Sequence, residues 1–243
     1  MSIDSKIADK FGRAAEHYDT YADVQKSSSA RLAALIKHYA NHNFKTIFDI
    51  GAGTGQSAAA LRHYWPEAEY TLLDISSQML ERAKAKFPDA ELIAADAERY
   101  AFRRRYDLCI SNLSVQWFQN FEMFLQKVLR SCDYFAFSSL LDSSFQAYKS
   151  IFERKGIKPP TFQYFDLEQM KRMIKHYHCE VFSSETYHKD FDNALEAARH
   201  FRNIGAHHAS YQSDQFVTAL LSHRAPVSLN YDIFFAVLSA RKL

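Results

Sequence analysis

The stretch FDIGAGTGQS, residues 48–57, holds three of the six glycines of this 243-residue chain. Before it, TIFDI (46–50) is short, apolar and rich in β-formers; after it, QSAAALRHY (56–64) has a helical pattern. Gly51-Ala52-Gly53-Thr54-Gly55 is therefore a strand-to-helix turn, where glycine permits positive φ and lets backbone amides approach a ligand. A dinucleotide fingerprint would need glycine where the chain has Gln56, and the Gly-Lys-Ser/Thr of a P-loop is absent. Instead an acid, Asp49, stands two residues before the first glycine. A carboxylate aimed at the loop opposes pyrophosphate and suits an ammonium or sulfonium charge. S-adenosylmethionine carries both and no phosphate.

Outward from the loop the rhythm repeats. EYTLLD (69–74), AELIAA (90–95), YDLCIS (106–111) and DYFAFSS (133–139) read as strands, and SQMLERAKAKF and FEMFLQKVLRS as helices between them. Strands alternating with helices imply a parallel sheet covered on both faces, a doubly wound α/β fold whose ligands lie beyond the carboxyl ends of the strands. Helices are expected over 3–17 and 22–39, then at 143–155 and 166–177 around the Gly/Pro-containing GIKPPTFQYF, and again near 192–205 and 213–222. Strands are expected at 179–188 and 228–240.

The strand ends carry the rest of a cofactor site. Asp74 closes the second strand, where an acid accepts both ribose hydroxyls, with Ile75 beside it. Asp96 closes the third, placed to accept from the adenine amino group, with the Ala97 amide facing a ring nitrogen. Asn112 ends the fourth beside the methionine end, and Met79 lies one turn into a helix where it can pack on adenine. Tyr18 and Gln25 join the set from the N-terminal helices. Each acid alone has a plainer reading as a helix cap. Three acids and a glycine loop on successive strand ends point to S-adenosylmethionine.

Composition sets the bounds. With 47% hydrophobic and 24% charged residues the chain falls among globular proteins, and no apolar run approaches the ~18 residues of a membrane span. The charged N-terminus lacks a signal core, and Cys109, Cys132 and Cys179 are odd in number, so a cytoplasmic protein with free thiols is expected. A net charge of +2 does not suggest nucleic acid. HYHC (176–179), with His176 and His178 on one side of a strand, and His207-His208 lack a metal-site frame, so no metal is expected.

The cofactor set resembles the seven-stranded class I methyltransferases, which implies an antiparallel last strand supplied by SLNYDIFFAVLSA. A narrower resemblance runs through IADKFGRAAEHYDTYADVQ (7–25), SNLSVQWF (111–118), FAFSSL (135–140), RHFRNIGAHH (199–208) and SLNYDIFFAVLSARK (228–242). These segments are similar to the malonyl-[acyl-carrier protein] O-methyltransferases of biotin synthesis. Ala52 replaces a cysteine frequent in their loops, and their Pro-Gly-Gly turn before the fifth strand is missing from VLRSCDYF. The resemblance implies one domain: an N-terminal helical lid (1–43), a cofactor core (44–141), a helical cap insert (142–178) and the rest of the core (179–243). It implies malonyl-carrier protein, or malonyl-coenzyme A, as acceptor. Carboxyl methyltransferases of the trans-aconitate type and a non-catalytic S-adenosylmethionine-binding protein are the alternatives.

A carboxylate is already ionised at neutral pH, so its methylation needs alignment and dehydration and no general base. Under this reading Arg199 and Arg202, with His200, are candidates to hold the acceptor's charge. Tyr18 and Trp117 would exclude water, and Gln116 would donate to the acceptor. Tyr18 and Trp117 also read as core aromatics, and Arg199 as helix decoration. The basic residues Lys149, Arg154, Lys155 and Arg172 are expected to dock an acidic carrier.

Overall fold

The structure, a computed structural model, describes residues 3–40, 42–159, 164–206 and 214–240. Seven strands, β1 (Thr46–Ile50), β2 (Glu69–Asp74), β3 (Glu91–Ala94), β4 (Tyr106–Ser111), β5 (Cys132–Leu140), β6 (His178–Phe191) and β7 (Val227–Ser239), form one sheet in the order β3-β2-β1-β4-β5-β7-β6. β1 to β5 are parallel and β7 runs antiparallel between β5 and β6. The chain order reverses between β1 and β4, which opens a crevice at their carboxyl ends.

Two apolar clusters cover the sheet. On one face lie the helices α3 (Asp23–Tyr39), α4 (Gln56–Arg62) and α5 (Ser77–Lys86), burying Leu32, Ile36, Leu61 and Ala83. On the other lies α6 (Phe121–Leu129), burying Phe124, Leu125 and Val128. The β3–β4 connection carries no helix, and Tyr100 and Phe102 pack on that face in its place.

The segment 142–178, expected as one cap, is divided between the faces. Its first helix, α7 (Gln146–Glu153), buries Tyr148, Ile151 and Phe152 in the α3 cluster with α9 (Ala194–Asn203) and α10 (Asp214–Ser222). Its second, α8 (Leu167–Ile174), buries Met170 and Ile174 beside α6. The cause lies in β6 and β7. β5 ends at Leu140 opposite Ile233, but the antiparallel β6–β7 pair continues through residues 186–191 and 227–232. That overshoot needs covering, and α7 and α9 pack against β7 there; α8 is left as the ordinary crossover into β6. His178 opens β6 while His176 lies in the turn before it, so the two do not share a strand face. His207-His208 lie outside the described residues.

The N-terminal helices α1 (Ile3–Ala14) and α2 (Tyr18–Tyr21) cross the crevice. Phe11 of α1 meets Trp117 edge-on at 5.6 Å. A Cβ added at Gly205, after α9, would stand 2.7 Å from the Phe11 ring, so α1 and the end of α9 touch through a residue without a side chain.

Candidate active site

A cavity opens at the carboxyl edge of the sheet. Tyr18, Gly51, Gly53, Asp74, Ile75, Met79, Asp96, Ala97, Asn112 and Trp117 line it, with Phe11 from α1. A smaller polar cavity adjoins it, sharing Tyr18, Gly51, Gly53 and Asn112 and adding Gln25, Ser29 and Ala52. The strand-end residues thus converge from distant parts of the chain.

Asp74 is buried between two backbone donors: Gly53 N–H reaches Oδ2 and Ser76 N–H reaches Oδ1, each at 2.8 Å. Ser76, not Asp74, caps α5, so the plain reading of Asp74 as a helix cap does not hold. Asp96 does make a local turn, accepting from Glu98 N–H at 2.8 Å. The loop after it is fastened by the Lys127 ammonium, which donates to the carbonyls of Ala97, Glu98 and Tyr100 at 2.7–3.0 Å. Lys127 thereby does the work of the missing crossover helix in the loop after Asp96.

Asp49 and Gly55 line neither cavity. Asp49 lies beneath the loop, its Oδ2 accepting from Ala58 N–H at 3.1 Å in the first turn of α4 and its Oδ1 without a partner. It is a cap supplied from the strand, because the residue preceding α4 is Gly55, at φ 82 and with no side chain to offer. Asn112 is fully engaged: Oδ1 accepts from Ser28 and Ser138 at 2.7 and 2.6 Å, and Nδ2 donates to Gln25 O and Ser29 Oγ. Its side chain fixes the β4 turn and leaves no donor for a ligand. The next residue, Leu113, has φ 48, held by Ser138 Oγ on its N–H and Gln116 Nε2 on its carbonyl.

Gln116 therefore spends its donor inside the turn and lines neither cavity, contrary to the expected contact with the acceptor. Arg199 and Arg202 are exposed on the outer side of α9, away from the lining. His200 is buried beneath them, its Nε2 2.8 Å from the Tyr231 hydroxyl, and burial pulls its pKa down to about 4, so it is a neutral packing residue. Among the described residues no lysine or arginine lines the main cavity.

One buried acceptor without a partner, Gln25 Oε1 in the smaller cavity, fits an ammonium-bearing ligand. The space beyond Gly53, where an added Cβ would meet nothing within 4 Å, fits a ligand lying on the loop. Tyr18 borders both cavities. Burial, with the charges of Asp74 and Asp19, raises its pKa and keeps the hydroxyl protonated. What the sequence alone does not reveal is the support for Asn112. The signal is the polar start of an inward helix face, Gln25-Ser28-Ser29, followed by Leu32 and Ile36.

A methyltransferase-domain family model matches residues 47–133. A curated malonyl-[acyl-carrier protein] O-methyltransferase of Neorickettsia risticii is 28% identical over 96% of this chain and 95% of its own. One of Priestia megaterium is 33% identical over 68% of this chain and 65% of its own. This chain is a class I S-adenosylmethionine-dependent methyltransferase. The fold agrees: a methyltransferase of Bacillus halodurans superposes with TM-score 0.60 at 16% identity, covering 87% of this chain and 99% of that one. The plantazolicin methyltransferase BpumL in complex with SAH gives TM-score 0.54 at 14% identity, covering 98% and 96%. In this methyltransferase no described helix is long and apolar enough to cross a membrane, and no described cluster of three His, Cys, Asp or Glu is spaced for a metal.

Buried carboxyls and a buried imidazole oppose each other in pH dependence. Burial pushes Asp49 up to about 7, against the Ala58 hydrogen bond and with help from the Asp74 charge. The folded state then keeps a proton that the unfolded chain releases, so stability falls as pH rises from about 4 to about 7. Burial likewise raises Asp74, which acts in the same direction. His200 refuses a proton that the unfolded chain takes up, so its contribution rises from about pH 4 to pH 6.5. Each slope approaches about 1.4 kcal/mol per pH unit. His200→Gln is expected to make the melting temperature fall more steeply than wild type between pH 5 and 6.5, and Asp49→Asn less steeply. Superimposable profiles for all three proteins would show that these charges are not buried as described.

Proposed function

We propose that the enzyme transfers a methyl group to the free carboxylate of a malonyl thioester carried on an acyl-carrier protein. The observation that carries this is the extent of similarity: the Neorickettsia relative, named for that reaction, aligns over 96% of the chain, lid and cap included, and not only over the cofactor half. The cofactor, when bound, supplies an electrophilic methyl on a sulfonium. Asp74 would hold its ribose, Met79 and Ala97 its adenine, and Gln25 its ammonium. Phe11, Tyr18 and Trp117 exclude water where the carboxylate approaches, and the protonated Tyr18 hydroxyl can donate to it.

The lining favours an acceptor with one carboxylate. A tricarboxylate such as trans-aconitate would bring three negative charges to a wall that already holds Asp74 and Asp96 and, among the described residues, no cation. A malonyl thioester brings one, countered by the sulfonium. The reaction belongs with the cytoplasmic carrier proteins of acyl-chain synthesis and would prime pimeloyl and biotin formation.

Of the basic residues expected to dock a carrier, Arg172 on α8 lies across the sheet from Arg154 and Lys155 at the end of α7, so one partner does not contact both groups. Lys149 is half-buried, its ammonium tied back to Asp142 O at 2.6 Å. Arg154 and Lys155, exposed on the cap, are the docking candidates. Incubation with labelled S-adenosylmethionine should add ~14 Da to malonyl-carrier as an ester that a methyl esterase removes. Charge reversal at Arg154 and Lys155 should raise KM for malonyl-carrier several-fold, roughly as expected for two rim charges, and leave malonyl-coenzyme A unaffected. Methylation of trans-aconitate with none of malonyl-carrier would reject the proposal.

A further inference from the structure

We propose that Asp19 is a positioning residue: it latches the N-terminal helices onto the glycine loop and so governs how long the cofactor stays bound. α2 is a single turn with no fully buried residue and no side-chain cap; Tyr18 packs part-buried against the α3 cluster, and the polar fastening comes from Asp19. Its Oδ1 accepts from Thr54 Oγ1 at 2.5 Å and Gln56 Nε2 at 2.9 Å, and its Oδ2 pairs with the Lys86 ammonium at 2.6 Å. Lys86 also donates to Thr54 O at 2.9 Å, closing the set. Burial pushes the Asp19 carboxyl up, but the hydrogen bonds from Lys86, Thr54 and Gln56 outweigh it and hold the group below the usual carboxylate range.

The three pieces so joined each carry cofactor contacts. α2 begins with Tyr18, which borders both cavities; Thr54 and Gln56 belong to the loop of Gly51 and Gly53; Lys86 ends the helix that presents Met79. Asp19 itself lines neither cavity. Opening the latch frees Tyr18 and α1 to leave the crevice without disturbing Asp74 or the sheet, and the closed form is the one in which the ligand is enclosed. The latch acts on the cofactor whatever acid accepts the methyl group, so a failed malonyl assay leaves it standing.

An exposed ion pair alone shifts an equilibrium at most about fivefold. With the bonds from Thr54 and Gln56 lost as well, Asp19→Ala should raise the Kd for S-adenosylhomocysteine roughly tenfold, through faster dissociation. KM for S-adenosylmethionine should rise with it while kcat holds or increases. Lys86→Met should weaken binding less, and the double variant should be no worse than Asp19→Ala, because both remove one latch. Asp19→Asn keeps acceptors for Thr54 and Gln56 and should fall between. Titration calorimetry and stopped-flow release on the full chain read these values. Both side chains are well exposed, 45% for Asp19 and 38% for Lys86, so the variants are expected to fold. If Asp19→Ala does not, Asp19→Asn and Lys86→Met carry the same comparison. A Kd within twofold of wild type, a lowered melting temperature with unchanged release, or additive effects in the double variant would each overturn the proposal.

Discussion

Asp74→Ala is expected to lower affinity for S-adenosylmethionine at least about a hundredfold while leaving a folded protein. The carboxylate is buried, faces the main cavity, and gives one lone pair on each oxygen to a backbone N–H. The remaining lone pairs are what a ribose diol requires. Hydrogen bonds to a charged group contribute about 1.5–3 kcal/mol each, so losing two corresponds to roughly 10²–10⁴ in Kd. Alanine also strips Gly53 N–H of its acceptor and loosens the loop over which the ligand lies. Asp74→Asn is the sharper variant: its amide nitrogen must oppose either Gly53 N–H or Ser76 N–H, so it should bind almost as weakly despite its matching shape. Calorimetry with S-adenosylhomocysteine decides the matter. Affinity within threefold of wild type would remove Asp74 from the site.

How far such a site can be read in advance depends on how local its signals are. The sheet was legible because each strand from β1 to β5 is a short apolar run, and the glycine loop because three glycines sit in five residues. The acids at the strand ends were legible because topology brings successive parallel strand ends to one edge. Asp49 stands on the expected strand, but its neighbour is the Ala58 N–H of α4. Nothing local tells a carboxylate that meets a ligand from one that caps the helix behind the loop, and Gly55 at the start of α4 decides for the second. Arg199, His200 and Arg202 failed for a related reason. On one helix, 199 and 202 share a face and 200 turns to another, and only the overshooting β6–β7 pair fixes which face is inward. Asp19 was invisible because its three donors lie 35–67 residues away.

The two cavity-lining glycines of the loop should answer mutation in opposite ways. Gly51 has φ 69, and a Cβ there would stand 2.0 Å from Ser114 Oγ and 2.5 Å from Ser114 Cβ. The hydroxyl can rotate away, but Ser114 Cβ moves only with its backbone, in a turn where Leu113 already sits at φ 48. Gly51→Ala therefore combines about 1–2 kcal/mol for a left-handed alanine with about 1–3 kcal/mol of overpacking. The expected loss is roughly 2–5 kcal/mol, a melting temperature lower by about 5–15 °C. Gly53 has φ 54 and open space before it. Gly53→Ala should cost only the backbone term, about 1–2 kcal/mol. Its methyl, however, would project into the space the ligand fills, and affinity should fall on the order of a hundredfold. Melting curves and calorimetry on the two variants separate these effects. If Gly53→Ala binds S-adenosylhomocysteine as wild type does, the ligand does not lie on the loop. If Gly51→Ala is as stable as wild type, the Ser114 turn gives way freely, and the tight packing of β4's end against the loop is not what shapes the cavity.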